Sequence, residues 1–375
     1  MDTGGLSSEI VVTGIGLASP LGLDVESAFA RLCQGGAPNG AAVPSYELAR
    51  LRAPKNQKFL SPSARHLMWA GLQALERSGW SRESLTPERT AIFTGSGQVG
   101  LEPSQMFPGF QSARTPEGLP DWAALGGPAS RLVDAFFSLR ALSNSGLALL
   151  AMELSARGPT NNFVQSDTAG VWAVDAAIGA LDEGLCDVAV CGVFDSLLTP
   201  ANELNYRRMG LVSGRGRMTP FDRAADGMVL SEGAAVLVLE RRADAEVRGA
   251  RELARISLNG AGPPDFFVAA GHAVAELDRE EAESLGTSAL CTAFKGATGY
   301  CGAATALVEV ALAIASLRAR VVPGVAGWVD LADGISLRLV HGEASRLPAS
   351  GLVSARCLSR SWMGERAGIT VEVGG

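Results

Sequence analysis

Apolar residues are spaced along this chain in two alternating ways. Short apolar runs bounded by glycine, proline or polar turns predict strands, several of them covered on both faces. Longer segments with apolar positions three and four residues apart predict helices. The predicted strands are "EIVVTGIGLA", "TAIFTGSG", "NNFVQS", "CDVAVCGVFDS", "AAVLVLE", "ARISLNG", "GLVSARCL" and "GITVEV". The predicted helices cover residues 61–79, Ser145–Arg157, "VWAVDAAIGAL", "REEAESLGTSAL" and Ala303–Arg318.

The order of these elements indicates an α/β protein. From Ala254 onward the alternation of strands and helices begins again, so the chain falls into two comparable halves. Such a pattern predicts layers of helices on central sheets. No low-complexity linker separates residues 1–240 from residues 241–375, and the two halves are expected to form one compact unit. Residues 101–130, which are rich in proline, glycine and aromatics, are expected to form a long excursion from it.

Charge and apolar content exclude several classes of partner. The 375 residues carry a net charge of -7 and no basic cluster, which disfavours nucleic acid and anionic membrane as main partners. The apolar run "ALVEVALAIASL" is too short to span a bilayer and contains Glu309. The opening residues "MDTGGLSSE" lack the features of a signal peptide. A cytoplasmic location is therefore expected.

Metal and cofactor sites are poorly supported. The six cysteines (Cys33, Cys186, Cys191, Cys291, Cys301 and Cys357) match neither zinc nor disulfide spacing, so reduced thiols are expected. His272 and Glu276 could share a helix face, but no third ligand accompanies them, and His272 is interpreted as a surface or capping histidine. "GSGQVG" (Gly95–Gly100) has dinucleotide-site spacing, but Pro103 and its surroundings argue against the helix that such a site needs. No metal and no cofactor is predicted.

The stretch "QSDTAGVWAV" is the place where chemistry is most expected. The strand "NNFVQS" runs through "DTA" into an apolar helix. Backbone N–H groups at such a turn can stabilise an anion beside a nucleophile. The residue on the turn, however, is Gly170, which has no side chain. The sequence thus predicts a nucleophile elbow without a nucleophile.

A long motif explains this elbow. The segment "RMTPFDRAADGMVLSEGAAVLVLERRADAEVRGARELARI" (Arg217–Ile256) resembles the central signature of β-ketoacyl-acyl-carrier-protein synthases. Other marks of that family occur in order: "VVTGIGLASPLG", "FTGSG", "DTA", "GLCDVAVCG" and "FKGATGYCGAATALVEVALA". The resemblance covers nearly the whole chain. It implies a thiolase-like layered α-β-α-β-α fold with two duplicated, ketosynthase-like halves.

Departures from the family pattern fall on its reactive positions. Gly170 stands where active members have the cysteine, and Ala270 and Tyr300 stand where they have two histidines. Trp362 and Arg366 replace glycines of the loop that gates the active site. A condensing enzyme needs a thiolate to hold the acyl chain and donors to stabilise an enolate, and one such donor can contribute ~3 kcal/mol. Three family positions that surround the active site are retained as polar residues: Lys295, Glu309 and Asp278. For Lys295 and Glu309 the alternatives are residual function and a buried ion pair, and the ion pair is favoured.

The resemblance then implies a chain-length factor, the inactive subunit of a type II polyketide synthase. In that family the inactive subunit forms a heterodimer with an active ketosynthase and helps to form the tunnel for the growing chain. Chain-length factors of aromatic polyketides usually have Gln at the position of Gly170, so a reducing, polyene-forming system is an open alternative. The acyl carrier protein is expected to bind mainly through the partner. The implied interface is the strand that precedes the elbow, with Thr160, Asn161, Asn162, Phe163, Val164, Gln165 and Ser166.

Bulky side chains are expected to end the tunnel. The candidates are Met106, Phe107, Phe110, Phe136 and Trp172, with ordinary core aromatics as the alternative. Trp172 is further expected to fill the vacant space at Gly170. Two other functions stay open: an acyltransferase or decarboxylase that uses Ser166, Thr168 or Tyr300, and a homodimeric scaffold.

Overall fold

The computed structural model describes residues 9–35, 42–49, 51–97, 103–258, 260 and 262–374. These residues contain thirteen strands and twelve α-helices. The strands are β1 Ile10–Ala18, β2 Thr90–Ser96, β3 Thr160–Val164, β4 Val188–Ser196, β5 Glu232–Arg241, β6 Ala254–Ser257, β7 Phe266–Val268, β8 Leu290–Thr292, β9 Val321–Val322, β10 Arg338–Leu339, β11 Ser345–Arg346, β12 Val353–Arg360 and β13 Arg366–Val373. The helices are α1 Val25–Cys33, α2 Pro62–Ser78, α3 Pro103–Ser112, α4 Trp122–Leu125, α5 Phe137–Arg140, α6 Ser145–Leu154, α7 Ala169–Asp182, α8 Pro200–Arg208, α9 Arg242–Val247, α10 Ala275–Leu285, α11 Lys295–Thr298 and α12 Thr305–Ala319.

The sheet topology repeats once along the chain. Eleven of the described strands form one sheet in the order β10-β8-β7-β12-β13-β6-β1-β5-β4-β2-β3, and β9 pairs with β11 separately. The order β1-β5-β4-β2-β3 in the first half matches β6-β13-β12-β7-β8 in the second. Each matched pair of neighbours also has the same direction, antiparallel for the first two and parallel for the last two. The expected duplication is therefore confirmed, and we propose that the halves divide near residue 240, after β5.

Two helices form the middle of the layered structure. α7 and α12 pack against each other, and α12 also contacts strands of both halves. Nearly every residue of α12 is buried, which agrees with its apolar composition on all sides. The stretch Gly302–Ala319 is long and apolar enough to cross a membrane, but 83% of it is buried inside the protein, as in the core helix of a globular domain.

α2 covers the opposite face of the first half. It contacts β1, β5 and β4, and its ends follow its sequence. The Ser61 side chain accepts a hydrogen bond from the Ala64 N–H, Pro62 opens the first turn, and Gly79 ends the helix with a φ of 79°. The helix lies so close to β1 that a Cβ at Gly16 would be 1.8 Å from the Ala70 carbonyl oxygen. The glycines of "VVTGIGLA" therefore permit this contact.

The excursion predicted for residues 101–130 contains helices. α3 begins at Pro103 and continues through Pro108, and α4 follows at Trp122. Proline is well tolerated in the first turn of a helix, so the expectation that Pro103 prevents a helix is wrong. Residues 98–100 of the "GSGQVG" motif lie outside the described residues.

Candidate functional site

The elbow forms at the junction of β3 and α7. β3 ends at Val164, and Gly170 lies in the first turn of α7, where it is buried. A Cβ at this position would lie 2.8 Å from Cγ1 of Val193 and 2.9 Å from Cβ of Ala306, with Leu307 Cγ at 3.3 Å. Side chains of β4 and α12 thus occupy the space that a nucleophile would need. A cysteine has no room here unless these neighbours move.

A buried polar cluster lies beside the elbow, and its centre is Asp167. The Tyr300 hydroxyl donates a 2.7 Å hydrogen bond to Asp167 Oδ2. His272 Nε2 and Lys295 Nζ lie 3.7 Å and 3.9 Å from Asp167 Oδ1. All four side chains are essentially inaccessible to solvent. Asp167 begins the "DTA" motif, but nothing in the sequence alone marks it as the centre of this cluster.

Lys295 links this cluster to Glu309 on α12. Its Nζ lies 3.6 Å from Glu309 Oε1, and it also donates a hydrogen bond to the Ala270 carbonyl oxygen. Burial raises the pKa of Glu309 to about 8, although the neighbouring Lys295 acts in the opposite direction. Burial alone would lower the pKa of Lys295, but Glu309 and Asp167 together raise it. Lys295 therefore keeps its charge, while Glu309 holds its proton more tightly than an exposed glutamate.

Carboxyl groups of α10 hold the loop that contains Ala270. Glu281 accepts hydrogen bonds from the backbone N–H groups of Ala270 (2.6 Å) and Gly271 (2.8 Å). Asp278 accepts from His272 N (2.7 Å) and from Phe221 N (2.7 Å). Burial raises the pKa of Asp278 to about 6, and these N–H groups oppose the shift. Ala273 in this loop has a φ of 55°, so the loop is strained and needs these contacts.

His272 is not a surface or capping residue, and that expectation is wrong. Its side chain is buried between Asp167 and Tyr300, with its ring centroid 5.9 Å from that of Tyr300. Neither ring nitrogen has a hydrogen-bond partner among the described residues. Ala270, two positions earlier, presents no donor side chain at all. The structure thus brings a histidine next to the elbow, but this histidine is residue 272 and not residue 270, where active family members are expected to have one.

Aromatic side chains close the outer side of the cluster. The Tyr206 ring lies 5.9 Å from that of Tyr300 and 6.4 Å from that of Trp362. Three residues after Trp362, Glu365 accepts a hydrogen bond from Thr168 Oγ1 at 3.2 Å. Arg366 points outward and lies 3.8 Å from Glu280. The Thr168–Glu365 hydrogen bond thus joins this loop to the elbow, and the ring contact of Trp362 joins it to Tyr206 on α8.

Comparison with known proteins identifies the family. The model of the family described as "Beta-ketoacyl synthase, N-terminal domain" matches residues 47–245, which is more than half of the chain. The chain belongs to the β-ketoacyl synthase family. A 3-oxoacyl-[acyl-carrier-protein] synthase 2 of Rhizobium meliloti is 27% identical over 70% of this chain and 66% of its own length. The PKS-NRPS hybrid synthetase ATPKS of Aspergillus niger is 29% identical over 52% of this chain, but the match spans only 9% of that synthetase.

Solved structures agree on the fold of this ketosynthase relative. The ishigamide ketosynthase/chain length factor superimposes with a TM-score of 0.82 at 19% identity, covering 99% of this chain and 100% of that chain. A β-ketoacyl synthase of Burkholderia phymatum gives a TM-score of 0.81 at 17% identity, covering 97% and 99% of the two chains. These matches confirm the expected thiolase-like fold.

The strand predicted as an interface lies at the edge of this ketosynthase-like sheet. β3 pairs with β2 in parallel and is the last strand in the described sheet. Its five residues are exposed or half-buried, and Gln165 and Ser166 follow in the turn before α7. A cavity of about 380 Å³ lies along the strand, between Ser143 and Val164. A smaller cavity of about 60 Å³ extends inward from Ser143 to Asp195, whose pKa burial raises to about 6.

The tunnel candidates lie on α3, on α7 and directly before α5. Phe107 (51%) and Phe110 (42%) on α3 are exposed, so they are not core aromatics. Met106 and Phe136 are half-buried, and the Phe136 ring packs edge-on against Phe59 at 4.9 Å. Trp172 is 41% exposed on α7, and it does not fill the space at Gly170. Two residues along an α-helix correspond to a rotation of about 200°, so the Trp172 side chain points away from the core, and that expectation is wrong.

The described residues offer little for metal or thiol chemistry. No described group of three or more His, Cys, Asp or Glu side chains could hold a metal ion. All six cysteines are free, and only Cys33 is exposed. Burial raises the pKa of Cys301, which follows Tyr300, to about 12. A thiol with so high a pKa is a poor nucleophile near neutral pH.

Proposed function

We propose that this chain is the noncatalytic chain-length factor of a polyketide-forming ketosynthase: it pairs with an active subunit and shapes the tunnel for its growing chain. The observation that carries the proposal is the elbow at Gly170. The nucleophile is missing there, and Val193, Ala306 and Leu307 occupy its space. A fold kept without its reactive side chain contributes structure rather than chemistry.

The remaining polar groups do not replace the missing donors. Ala270 offers none, and the Tyr300 hydroxyl is already donated to Asp167. Tyr300 also has a pKa raised well above the usual value, chiefly by burial. Each missing oxyanion donor can cost ~3 kcal/mol of transition-state stabilisation. Condensation by this chain alone is therefore not expected.

The surface around β3 supports a partner. Of the eighteen exposed large apolar side chains among the described residues, ten lie between Phe107 and Trp172. Exposed apolar side chains concentrated in the part of the chain that includes the edge strand β3 are consistent with an interaction face. Thr160–Ser166 would pair with the matching strand of a ketosynthase across a pseudo-two-fold axis. An obligate pair of this kind buries more than ~2,000 Å².

The tunnel would run from this face into the chain. Phe107 and Phe110 on α3 are exposed, and a cavity lies along β3. We propose these two residues, with Met106, Phe136 and Trp172, as the side chains that limit the length of the chain in the complex. The acyl carrier protein would bind mainly to the partner, and free thiols suit a reducing, cytoplasmic environment.

Two alternatives make different predictions. A relocated acyltransferase or decarboxylase would use Ser166, Thr168 or Tyr300. Thr168 Oγ1, however, is bonded to Gln165 and Glu365, and the Ser166 hydroxyl has no hydrogen-bond partner among the described residues. A homodimeric scaffold would instead pair β3 with a second copy of itself.

Co-expression with a ketosynthase from the same source tests the proposal. We expect a one-to-one complex that extends malonyl units and carries the acyl thioester on the partner alone. The isolated chain should neither load acyl groups nor extend a primer. Acyl loading of the isolated chain, detected by intact-protein mass spectrometry, would favour the relocated enzyme. A stable homodimer that ignores the ketosynthase would favour the scaffold.

A further inference from the structure

A third cavity lies between α1, α2 and the end of α12. Its volume is about 550 Å³, which is in the range of small-molecule sites. Its walls include Ile15 on β1 and Ile314 on α12, both buried. β1 is separated from the edge strand β3 by three strands, so this cavity is distinct from the proposed partner face.

The floor of the cavity is apolar. Val25 and Phe29 come from the inner face of α1, and Leu253 comes from the segment before β6. Phe29 and Leu253 are only partly buried and pack against the main core. An alkyl chain placed on this floor would cover apolar surface that is now open, and each buried CH₂ group contributes ~0.8 kcal/mol.

The rim of the cavity is positively charged. Arg77, Arg251 and Arg318 all line it, and Glu26 is its single acidic residue. Glu26 already forms an ion pair with Arg77 at 2.7 Å. Arg318 donates one hydrogen bond, at 3.3 Å, to the Leu253 carbonyl oxygen, but neither Arg251 nor Arg318 forms an ion pair with a described residue.

The two remaining guanidinium groups repel each other. Burial lowers the pKa of Arg318, and the neighbouring Arg251 lowers it further, while Glu26 acts in the opposite direction. Arg251 and Arg318 thus place two like charges beside an apolar cavity without an ion-pair partner among the described residues. An anion between them would relieve the repulsion and accept charge-assisted hydrogen bonds.

We propose that this cavity binds a fatty acid anion, with its carboxylate on Arg251 and Arg318 and its alkyl chain on Val25, Phe29 and Leu253. The arginine fork matches a carboxylate in geometry. The charged rim and the apolar floor together select an amphipathic ligand over a simple anion or a neutral alkane. The site is independent of the proposed partner and of the elbow.

Isothermal titration of the full-length chain, or of its complex with the partner, with decanoate tests this site. We expect one decanoate per chain, weaker binding of decanol, and no binding of acetate or inorganic phosphate at the same concentrations. The double variant Arg251→Gln/Arg318→Gln should bind decanoate about tenfold more weakly or worse. The single variant Arg251→Gln, at an exposed position, should show a smaller loss in the same direction.

The control is the double variant Arg279→Gln/Arg346→Gln, which removes the same charge at exposed positions elsewhere. It should bind decanoate like the unmodified chain, and decanoate should raise the melting temperature of both. Equal binding by the two double variants would overturn the proposal, because the rim arginines would then be irrelevant. Equal binding of acetate and decanoate, or no binding of decanoate, would overturn it as well.

Discussion

The hydroxyl of Tyr300 and the carboxyl group of Asp167 form a 2.7 Å hydrogen bond between two fully buried side chains. Tyr300 occupies a position where active relatives are expected to have a histidine, and Asp167 begins the elbow. The bond connects the loop after α11 to the turn before α7. The elbow and the loop after α11 are therefore held together by a contact in which the Tyr300 hydroxyl proton is already donated.

Replacing Tyr300 with phenylalanine should destabilise the protein by about 1–3 kcal/mol, because a buried acceptor loses its donor. Urea unfolding followed by circular dichroism measures this loss. Tyr46→Phe is the matched comparison, since its hydroxyl bonds to His66 Nδ1 at 2.6 Å in a part-buried site, and it should cost less. A cost for Tyr300→Phe no larger than that for Tyr46→Phe would contradict the assigned contact.

Gly170→Ala should destabilise the chain by about 1–3 kcal/mol, because the added methyl group meets Val193 and Ala306 at less than 3 Å. The control is Gly179→Ala in the same helix, where a Cβ meets nothing within 4 Å. That change should stabilise the helix by about 0.5–1 kcal/mol. Thermal unfolding of both variants measures whether their melting temperatures change in opposite directions. Equal changes in melting temperature would mean that the space at Gly170 is open.

Glu309→Gln should change the dependence of stability on pH. The folded state raises the pKa of Glu309 from 4.5 to about 8, so it binds this proton more tightly than the unfolded chain does. The resulting stabilisation is fully present below about pH 4.5 and is lost as the pH rises to about 8. Between pH 5 and 8 the unmodified protein should therefore lose stability relative to the variant, by at most ~1.4 kcal/mol per pH unit.

Urea unfolding at several pH values in this window measures that difference. Glu343→Gln, at an exposed position, is the control and should leave the pH dependence unchanged. If the stability difference between the unmodified protein and Glu309→Gln stays constant from pH 5 to 8, Glu309 is ionised throughout, as a simple ion pair with Lys295.

Val164→Lys should prevent formation of the proposed complex, because it places a charge on the edge strand within the apolar face. Val164 is 44% exposed in the isolated chain, so the folded subunit should tolerate the lysine. Val247→Lys, at a 90% exposed valine on α9, is the matched control and should leave the complex intact. Size-exclusion chromatography with light scattering distinguishes the two, and a complex that survives Val164→Lys would place the interface elsewhere.

Most of the fold was predictable because its strands are short apolar runs between glycine and proline turns. The helix predicted at residues 61–79 is Pro62–Ser78, since its capping residues are local. The contents of the 101–130 segment were not predictable in the same way. α3 contains Pro108, and its stability depends on packing against later residues rather than on its own sequence.

The polar cluster was only partly predictable. The absence of reactive side chains at Gly170 and Ala270 is visible in the motif. The role of His272 is not, because its neighbours Asp167 and Tyr300 are distant in sequence and meet only in the fold. The prediction for Trp172 was wrong for a related reason. Its side chain, two residues past Gly170, points to a different side of α7.

The close packing around Gly170 has an evolutionary consequence. A single codon change to cysteine would supply the residue that active family members are expected to have, but not the space for it, because Val193, Ala306 and Leu307 would each obstruct its side chain. Reversal to an enzyme would require these neighbours to shrink beforehand, without any catalytic benefit at that stage. Under the proposed function, a single back-mutation at position 170 would therefore not turn this subunit into a condensing enzyme.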